Sequence, residues 1–199
     1  MKIVLASSSP RRQELLKMIG LDFEVISPID VDESQYDSVD PKDIVVELAF
    51  KKAKSVSEKL LKEGENALVI GVDTLVEIKG LLLGKPSSKE EAFNMMQLLQ
   101  GNTHRVFSGV GLIEVPTLRS EAGFEVTKVS FYPLTISEIN AYIDSGEWVD
   151  KAGAYAIQGK ASLFVKKIEG CYFNVVGLPL ALLRRLLIKF GLDPLFMEV

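Results

Sequence analysis

Ala67-Leu68-Val69-Ile70-Gly71-Val72-Asp73-Thr74-Leu75-Val76-Glu77-Ile78, followed by Lys79-Gly80 and Leu81-Leu82-Leu83, is the stretch on which the fold turns. A run this apolar predicts a buried strand over 67–78, and Lys79-Gly80 suits a tight turn into a short partner strand over 81–83. Working outward, residues 2–6 read as a buried strand. Ser9 follows as an N-cap, with Pro10 at the first helical position and Gly20 closing the helix. Residues 23–27 suit a second strand. Asp40 and Pro41 open a long helix that ends near Gly64. A Ser88…Glu91 capping box opens a helix to Gln100, stopped by Gly101, and Thr135…Glu138 opens another that stops at Gly146. Two long strand patterns, 104–115 and 122–132, flank a turn near Pro116. Strands over 162–168 and 171–176, the second holding Cys171, flank Glu169-Gly170, and a last helix runs over 179–190. Residues 30–40 and 147–161 read as loops. The chain is therefore α/β, but long strands adjacent in sequence imply antiparallel pairs within a mixed sheet flanked by helices.

Composition narrows the chemistry. The chain has 199 residues, 27 acids, 23 bases, one histidine and one cysteine. A length near 200 without repeat or linker suggests a single domain, 1–199, with two lobes. One Cys and one His leave no intrachain disulfide and no His/Cys zinc site, and only His104 to serve a Ser-His-Asp triad. A net charge of −4 argues against broad nucleic-acid binding. It leaves a small anionic ligand open, since a local cluster can oppose the global sign. The longest apolar stretch, Val175 to Leu183, is broken by Gly177 and Pro179 and cannot span a bilayer. No secretion signal is visible, so the expected location is the cytoplasm.

Functional residues often break local rules. In Ser7-Ser8-Ser9-Pro10-Arg11-Arg12 two arginines occupy a first helical turn, where the macrodipole favours acids. An anion bound among the hydroxyls, free N–H groups and guanidinium forks would reverse that cost. The alternative is a solvated helix start. Lys52 falls in the middle of the apolar face formed by Val45, Leu48, Ala49, Val56 and Leu60, where it must snorkel, pair with an acid or enter a cleft. Asp73 puts a carboxylate inside a buried strand, with Gly71 leaving open space on the same face; it is either functional or a structural aspartate hydrogen-bonded to a neighbouring loop. Gly84-Lys85-Pro86, after the short hairpin, would bring Lys85 back toward it. Asp30, Asp32 and Glu33 offer oxygen ligands that suit Mg²⁺ or Mn²⁺, or else form a solvated loop. Gln158 carries an amide able to read a base edge. His104 reads as structural and Trp148 as a loop anchor.

Together these segments resemble the Maf family of nucleotide pyrophosphatases. The resemblance rests on Leu5-Ala6-Ser7-Ser8-Ser9-Pro10-Arg11-Arg12, Asp32-Glu33, Ala49-Phe50-Lys51-Lys52-Ala53, Gly71-Val72-Asp73-Thr74 and Gly84-Lys85-Pro86. It continues through Asp150-Lys151-Ala152-Gly153-Ala154-Tyr155-Ala156-Ile157-Gln158-Gly159 and Asn174-Val175-Val176-Gly177-Leu178-Pro179. It implies a mixed-sheet fold with two lobes around a central cleft, similar to the inosine triphosphate pyrophosphatases. It also implies hydrolysis of a nucleoside triphosphate to the monophosphate and pyrophosphate with a divalent metal cofactor. Asp73 matches the family's proton acceptor. Ser9, Arg11, Arg12, Lys52 and Lys85 are the expected substrate-binding residues, and Glu33 the metal ligand. Arg11, Thr74 and Gln158 occupy the positions that separate branches, and here they resemble the branch acting on dTTP and UTP. The competing readings are 7-methyl-GTP or a modified nucleotide as substrate, or a nucleotide-binding regulator of cell division with little turnover. No membrane or nucleic-acid partner is expected, and a homodimer is left open.

Overall fold

The computed structural model describes residues 1–29, 31–32 and 39–196. Its elements run β1 (Lys2–Ala6), α1 (Pro10–Met18), β2 (Glu24–Val25), α2 (Pro41–Lys62), β3 (Ala67–Ile78), β4 (Leu81–Leu83), α3 (Lys89–Leu99), β5 (Thr103–Val115), β6 (Ser120–Phe131), α4 (Ile136–Asp144), β7 (Val165–Glu169), α5 (Tyr172–Val176) and α6 (Leu180–Ile188). Seven strands form one mixed sheet in the order β2-β1-β3-β5-β6-β7, with β4 paired to β3. β1 runs parallel to both β2 and β3, whereas β4 on β3 and β7 on β6 are antiparallel. Among the described residues no helix is long and apolar enough to cross a membrane.

Backbone contacts divide the chain into two compact units. The first comprises Met1–Asp73, Ser108–Glu125 and Gly177–Val199; the second comprises Thr74–Phe107 and Val126–Val176. In the first unit α2 packs on the sheet through Ala53, Val56 and Leu60, which meet Val4, Ala6, Ala67, Val69, Ile113 and Val115. The approach is closest at two glycines. A Cβ on Gly71 would collide with the Ala49 carbonyl oxygen, and one on Gly109 with the Val45 carbonyl. Gly71 therefore leaves no open space beside Asp73, contrary to the sequence reading. The space its missing side chain vacates is filled by the α2 backbone.

The caps of α2 and α4 follow the sequence, and that of α3 does so in part. Asp40 Oδ1 accepts from Lys42 N at 3.0 Å, and Thr135 and Glu138 form a complete capping box. The Ser88 hydroxyl accepts from Glu91 N, but the Glu91 carboxylate turns to the Ser87 amide and hydroxyl, both at 2.7 Å, leaving the second box half-formed. The strand expected over 23–27 shrinks to Glu24–Val25.

The larger departure lies near Gly170. Residues 160–164 form a 3-10 turn, only 165–169 are strand, and 172–176 are helical. Cys171 thus precedes a helix rather than lying in a strand. Tyr, Phe and Val favour strands on a half-buried surface, but here the backbone groups find other partners. The Thr127 hydroxyl accepts from Cys171 N and donates to Cys171 O, both at 3.0 Å. Asn174, fully buried, donates its amide to Val106 O and Thr127 Oγ1, each at 3.0 Å. Those bonds come from residues distant in sequence, so no local pattern announces them.

In the second unit His104 is buried against Phe131 and Tyr155 in edge-to-face contacts, and its Nε2 lies 2.8 Å from the Tyr155 hydroxyl. Burial lowers its pKa from 6.5 to about 4. An unfolded chain takes up this proton near pH 6.5 and the folded chain only near pH 4. The resulting stability is fully present above pH 6.5 and is lost as pH falls toward 4, amounting to about 3 kcal/mol at ~1.4 kcal/mol per pH unit. Urea unfolding at pH 7 and pH 4 should therefore show a smaller acid loss, by about that amount, in His104→Gln, which keeps a hydrogen-bonding group for Tyr155. Equal losses in the two proteins would contradict it.

Candidate active site

The first unit assembles its polar groups where β1 leads into α1. β1 lies beside β3 in register, Leu5 with Ile70 and Ala6 with Gly71, so Ser7 follows Ala6 as Val72 and Asp73 follow Gly71. In parallel sheets ligand sites form at such carboxyl ends. Ser9 is the N-cap of α1 by backbone conformation but makes no side-chain cap, Pro10 lacks an N–H, and no acid stands in the first turn. That first turn accordingly presents the positive end of the helix with Arg11 and Arg12 half-buried beside it.

Arg12 ties this corner together. Its Nε donates to Gly177 O at 2.9 Å, and its Nη1 donates to Ser7 Oγ and Val72 O, both at 3.0 Å. One guanidinium thus joins the loop after β1, strand β3 and the segment before α6. Those bonds hold Arg12 in a defined place with its charge next to the Ser7–Ser9 turn.

Lys52 and Asp73 meet at the same corner. Lys52 sits on the buried face of α2, as the helical wheel required, and its Nζ donates to Asp73 Oδ1 at 2.6 Å. Their side chains are 7% and 6% exposed. Of the fates open to an apolar-face lysine, pairing with an acid is the one observed. Two charges this deep stabilise each other only with near-ideal geometry, and either alone would be costly. Asp73 Oδ2 is also buried and has no hydrogen-bond partner among the described residues. A buried carboxylate oxygen left unsatisfied is rare and asks for a reason, such as a water, an ion or a catalytic role.

The second unit carries Thr74, Lys85 and Gln158. Thr74 is half-buried, next to Asp73 in β3. Lys85 is exposed after β4. Gly84 O accepts from Gly153 N at 3.0 Å, fastening that loop to the segment 150–154, where Asp150 (φ 58°) and Ala154 (φ 61°) adopt the left-handed conformation that non-glycine residues rarely take. The indole of Trp148 donates to Ile143 O at 3.0 Å, anchoring the start of this segment. Gln158 is exposed. Glu77 on β3 is buried. Its burial raises the carboxyl pKa, but bonds from Arg105 Nε and Gly80 N, each at 2.6 Å, outweigh that and hold it below the usual range. Sequence reading had passed over Glu77, whose signal was the same as that of Asp73: an acid inside an apolar strand.

The family described as Maf-like protein matches residues 2–190. The chain belongs to the Maf family. Curated relatives agree over almost the full length. A protein of Carboxydothermus hydrogenoformans named dTTP/UTP pyrophosphatase is 54% identical over 96% of this chain and 100% of its own. One of Acetivibrio thermocellus with the same name is 48% identical over 98% of each chain. A solved nucleoside-triphosphatase / dITP/XTP pyrophosphatase of Mycobacterium abscessus aligns over 66% of this chain and 73% of its own, at 19% identity and a TM-score of 0.36. That likeness is too slight to carry an argument.

For a Maf chain the donors open to a divalent cation can be weighed residue by residue. Asp73 Oδ2 is a hard oxygen donor without a hydrogen-bond partner among the described residues, which fits Mg²⁺ or Mn²⁺. Glu33 and Asp30 lie outside the described residues, and Asp32 is exposed beside the outer face of α2 with Lys54 and Lys59. Among the described residues no three His, Cys, Asp or Glu groups come together as a ligand set. Asp73 is thus the one described carboxylate of the motif that fits the cation.

Proposed function

We propose that this Maf chain hydrolyses nucleoside triphosphates, dTTP and UTP foremost, to the monophosphate and pyrophosphate, acting on free nucleotides in the cytoplasm. The names of the full-length relatives support the substrate class. The observation that carries the chemistry is the buried Asp73 carboxylate, with one oxygen held by Lys52 and the other unclaimed.

A triphosphate brings about four negative charges; Arg11 and Arg12 answer them with the first turn of α1 and the Ser9 hydroxyl, Lys85 is a further substrate-binding cation, and the charge of Lys52 is largely balanced by Asp73. Arg12, already fixed by protein acceptors, lends its field from a constant position. Such a site works mainly by positioning and electrostatics. Water attacks the α-phosphorus, the bond to the bridging oxygen of the β-phosphate breaks, and pyrophosphate departs. Asp73 Oδ2 accepts the proton of the attacking water while Lys52 keeps the carboxylate aimed. A divalent cation bound by Glu33 would neutralise phosphate charge and lower the pKa of a bound water.

Base choice falls to Arg11, Thr74 and Gln158. Uracil and thymine present an N–H donor beside carbonyl acceptors, an edge that a Gln158 amide held in one orientation complements, whereas cytosine presents a ring acceptor beside an amino donor. Gln158→Ala should lower the UTP-over-CTP ratio of kcat/KM about tenfold, the worth of one or two hydrogen bonds. An unchanged ratio would refute base reading by Gln158. The activity itself is tested by a panel of dTTP, UTP, CTP and 7-methyl-GTP with Mg²⁺ or Mn²⁺. Pyrophosphate and monophosphate should appear in equal amounts, fastest from dTTP and UTP. Orthophosphate as the product would refute the reaction, and preference for 7-methyl-GTP would refute the branch.

A further inference from the structure

Glu147 has no part in the reading above, yet it is built into the turn that carries Gln158. It follows directly on the end of α4, where Ser145 N and Gly146 N donate to Tyr142 O and Ile143 O and Gly146 takes φ 72°. Its own N–H points to Ser145 Oγ at 3.4 Å, and the next residue, Trp148, is buried and bonded back to Ile143 O. The backbone at Glu147 is therefore set by the helix behind it.

The side chain reaches across to residues 13 and 14 places further on. Oε2 accepts from Lys160 N at 2.9 Å and Oε1 from Ala161 N at 3.4 Å. Gly159 stands in between, and a Cβ there would collide with both carboxylate oxygens. Gly159 N donates to Ala156 O at 3.1 Å, closing the turn in which Gln158 is the third residue. Ile157 and Ala161 are buried on either side while Gln158 projects outward. The bonds Gly159 N to Ala156 O and Ser162 N to Gly159 O are internal to the segment. The Glu147 carboxylate is what ties its amides to a fixed element.

We propose that Glu147 is the positioning residue for base selectivity: it fixes the turn at 156–161 so that the Gln158 amide meets the base in one orientation. The inference rests on the reading of Gln158 as the base-reading group. An exposed glutamine rotates about three side-chain bonds, so its aim depends on how firmly its backbone is held. Two N–H bonds to a carboxylate are stronger than neutral ones, and only a glycine at 159 leaves room for them.

The test measures kcat/KM for UTP and CTP in Glu147→Ala, Glu147→Gln, Gln158→Ala and the double variant Glu147→Ala/Gln158→Ala, with urea unfolding of each. Glu147→Ala should lower the UTP-over-CTP ratio about fivefold, the effect of losing about one net hydrogen bond's constraint. Glu147→Gln, which retains one acceptor, should lose less, and it serves as the readout if the alanine variant does not fold. In the Gln158→Ala background the change at Glu147 should leave the ratio unmoved, because a residue that acts through another shows no effect once that other is gone. A merely structural glutamate would slow both substrates alike and keep the ratio. The inference is overturned if Gln158→Ala changes the ratio while both Glu147 variants keep it, or if the two effects add in full. A ratio unmoved by Gln158→Ala would instead overturn the base-reading assignment, and the role of Glu147 with it.

Discussion

Asp73→Asn is expected to slow pyrophosphate release at least a hundredfold while nucleotide binding survives. Proton acceptance by a positioned carboxylate contributes roughly 10²–10⁴ in rate, and asparagine fills the same volume without accepting the proton. The substitution also reaches the fold. Lys52 Nζ lies 2.6 Å from Asp73 Oδ1 with both side chains nearly buried, and removing one partner of such a pair costs about 3–5 kcal/mol because the other charge is stranded. The amide oxygen of asparagine can still accept from Lys52, so the low end of that range is expected. A second variant separates the two effects. Lys52→Met in the Asp73→Asn background removes the stranded ammonium and should recover much of the lost stability, yet turnover should stay as low or fall further. Turnover is read by pyrophosphate release and stability by urea unfolding. Near-normal turnover in Asp73→Asn would remove Asp73 from the chemistry. A double variant less stable than Asp73→Asn would show that the two charges are not one energetic unit.

Gly71→Ala should be nearly as damaging although the residue bears no functional group. A methyl there collides with the Ala49 carbonyl and crowds Ala53 N, both backbone atoms of α2. Neither can yield unless the helix shifts on the sheet. Overpacking typically costs about 1–3 kcal/mol, and more where only backbone could move, so a loss near 3 kcal/mol is expected. Activity should fall further than stability explains, because Lys52 lies between Ala49 and Ala53 on α2 and Asp73 two residues beyond Gly71 on β3. Moving the helix off Gly71 lengthens the Lys52–Asp73 contact. Gly109→Ala meets the Val45 backbone in the same way, whereas a methyl on Gly111 approaches Phe50 Cα at 3.2 Å and should be milder. Urea unfolding and pyrophosphate release on the three variants check the order. Wild-type stability in Gly71→Ala would contradict the close approach of α2.

Lys52 and Asp73, two of the rule-breaking residues of the sequence, were legible because each violates a pattern that its own element defines. A helical wheel needs only the helix, and an apolar run only the strand. Their partnership was not legible, since the two lie 21 positions apart and nothing local says which face of α2 meets which end of β3. The same limit explains Gly71. Its sequence context suggested empty room for a ligand, but a missing side chain is equally an invitation to a neighbouring backbone. Glu147 escaped notice entirely, because its partners are backbone amides and amides leave no mark in a sequence.

By itself the sequence determined the α/β class, the caps, nearly every element and the family. Caps, turns and hydrophobic periods are interactions among residues a few positions apart, whose geometry the chain already imposes. Only the tertiary structure decided that Lys52 neutralises Asp73, that Arg12 joins Ser7, Val72 and Gly177, and that 172–176 coil into a helix rather than extend. In each case a buried polar group had to find a partner, and burial in a dense interior made a distant residue the nearest one available.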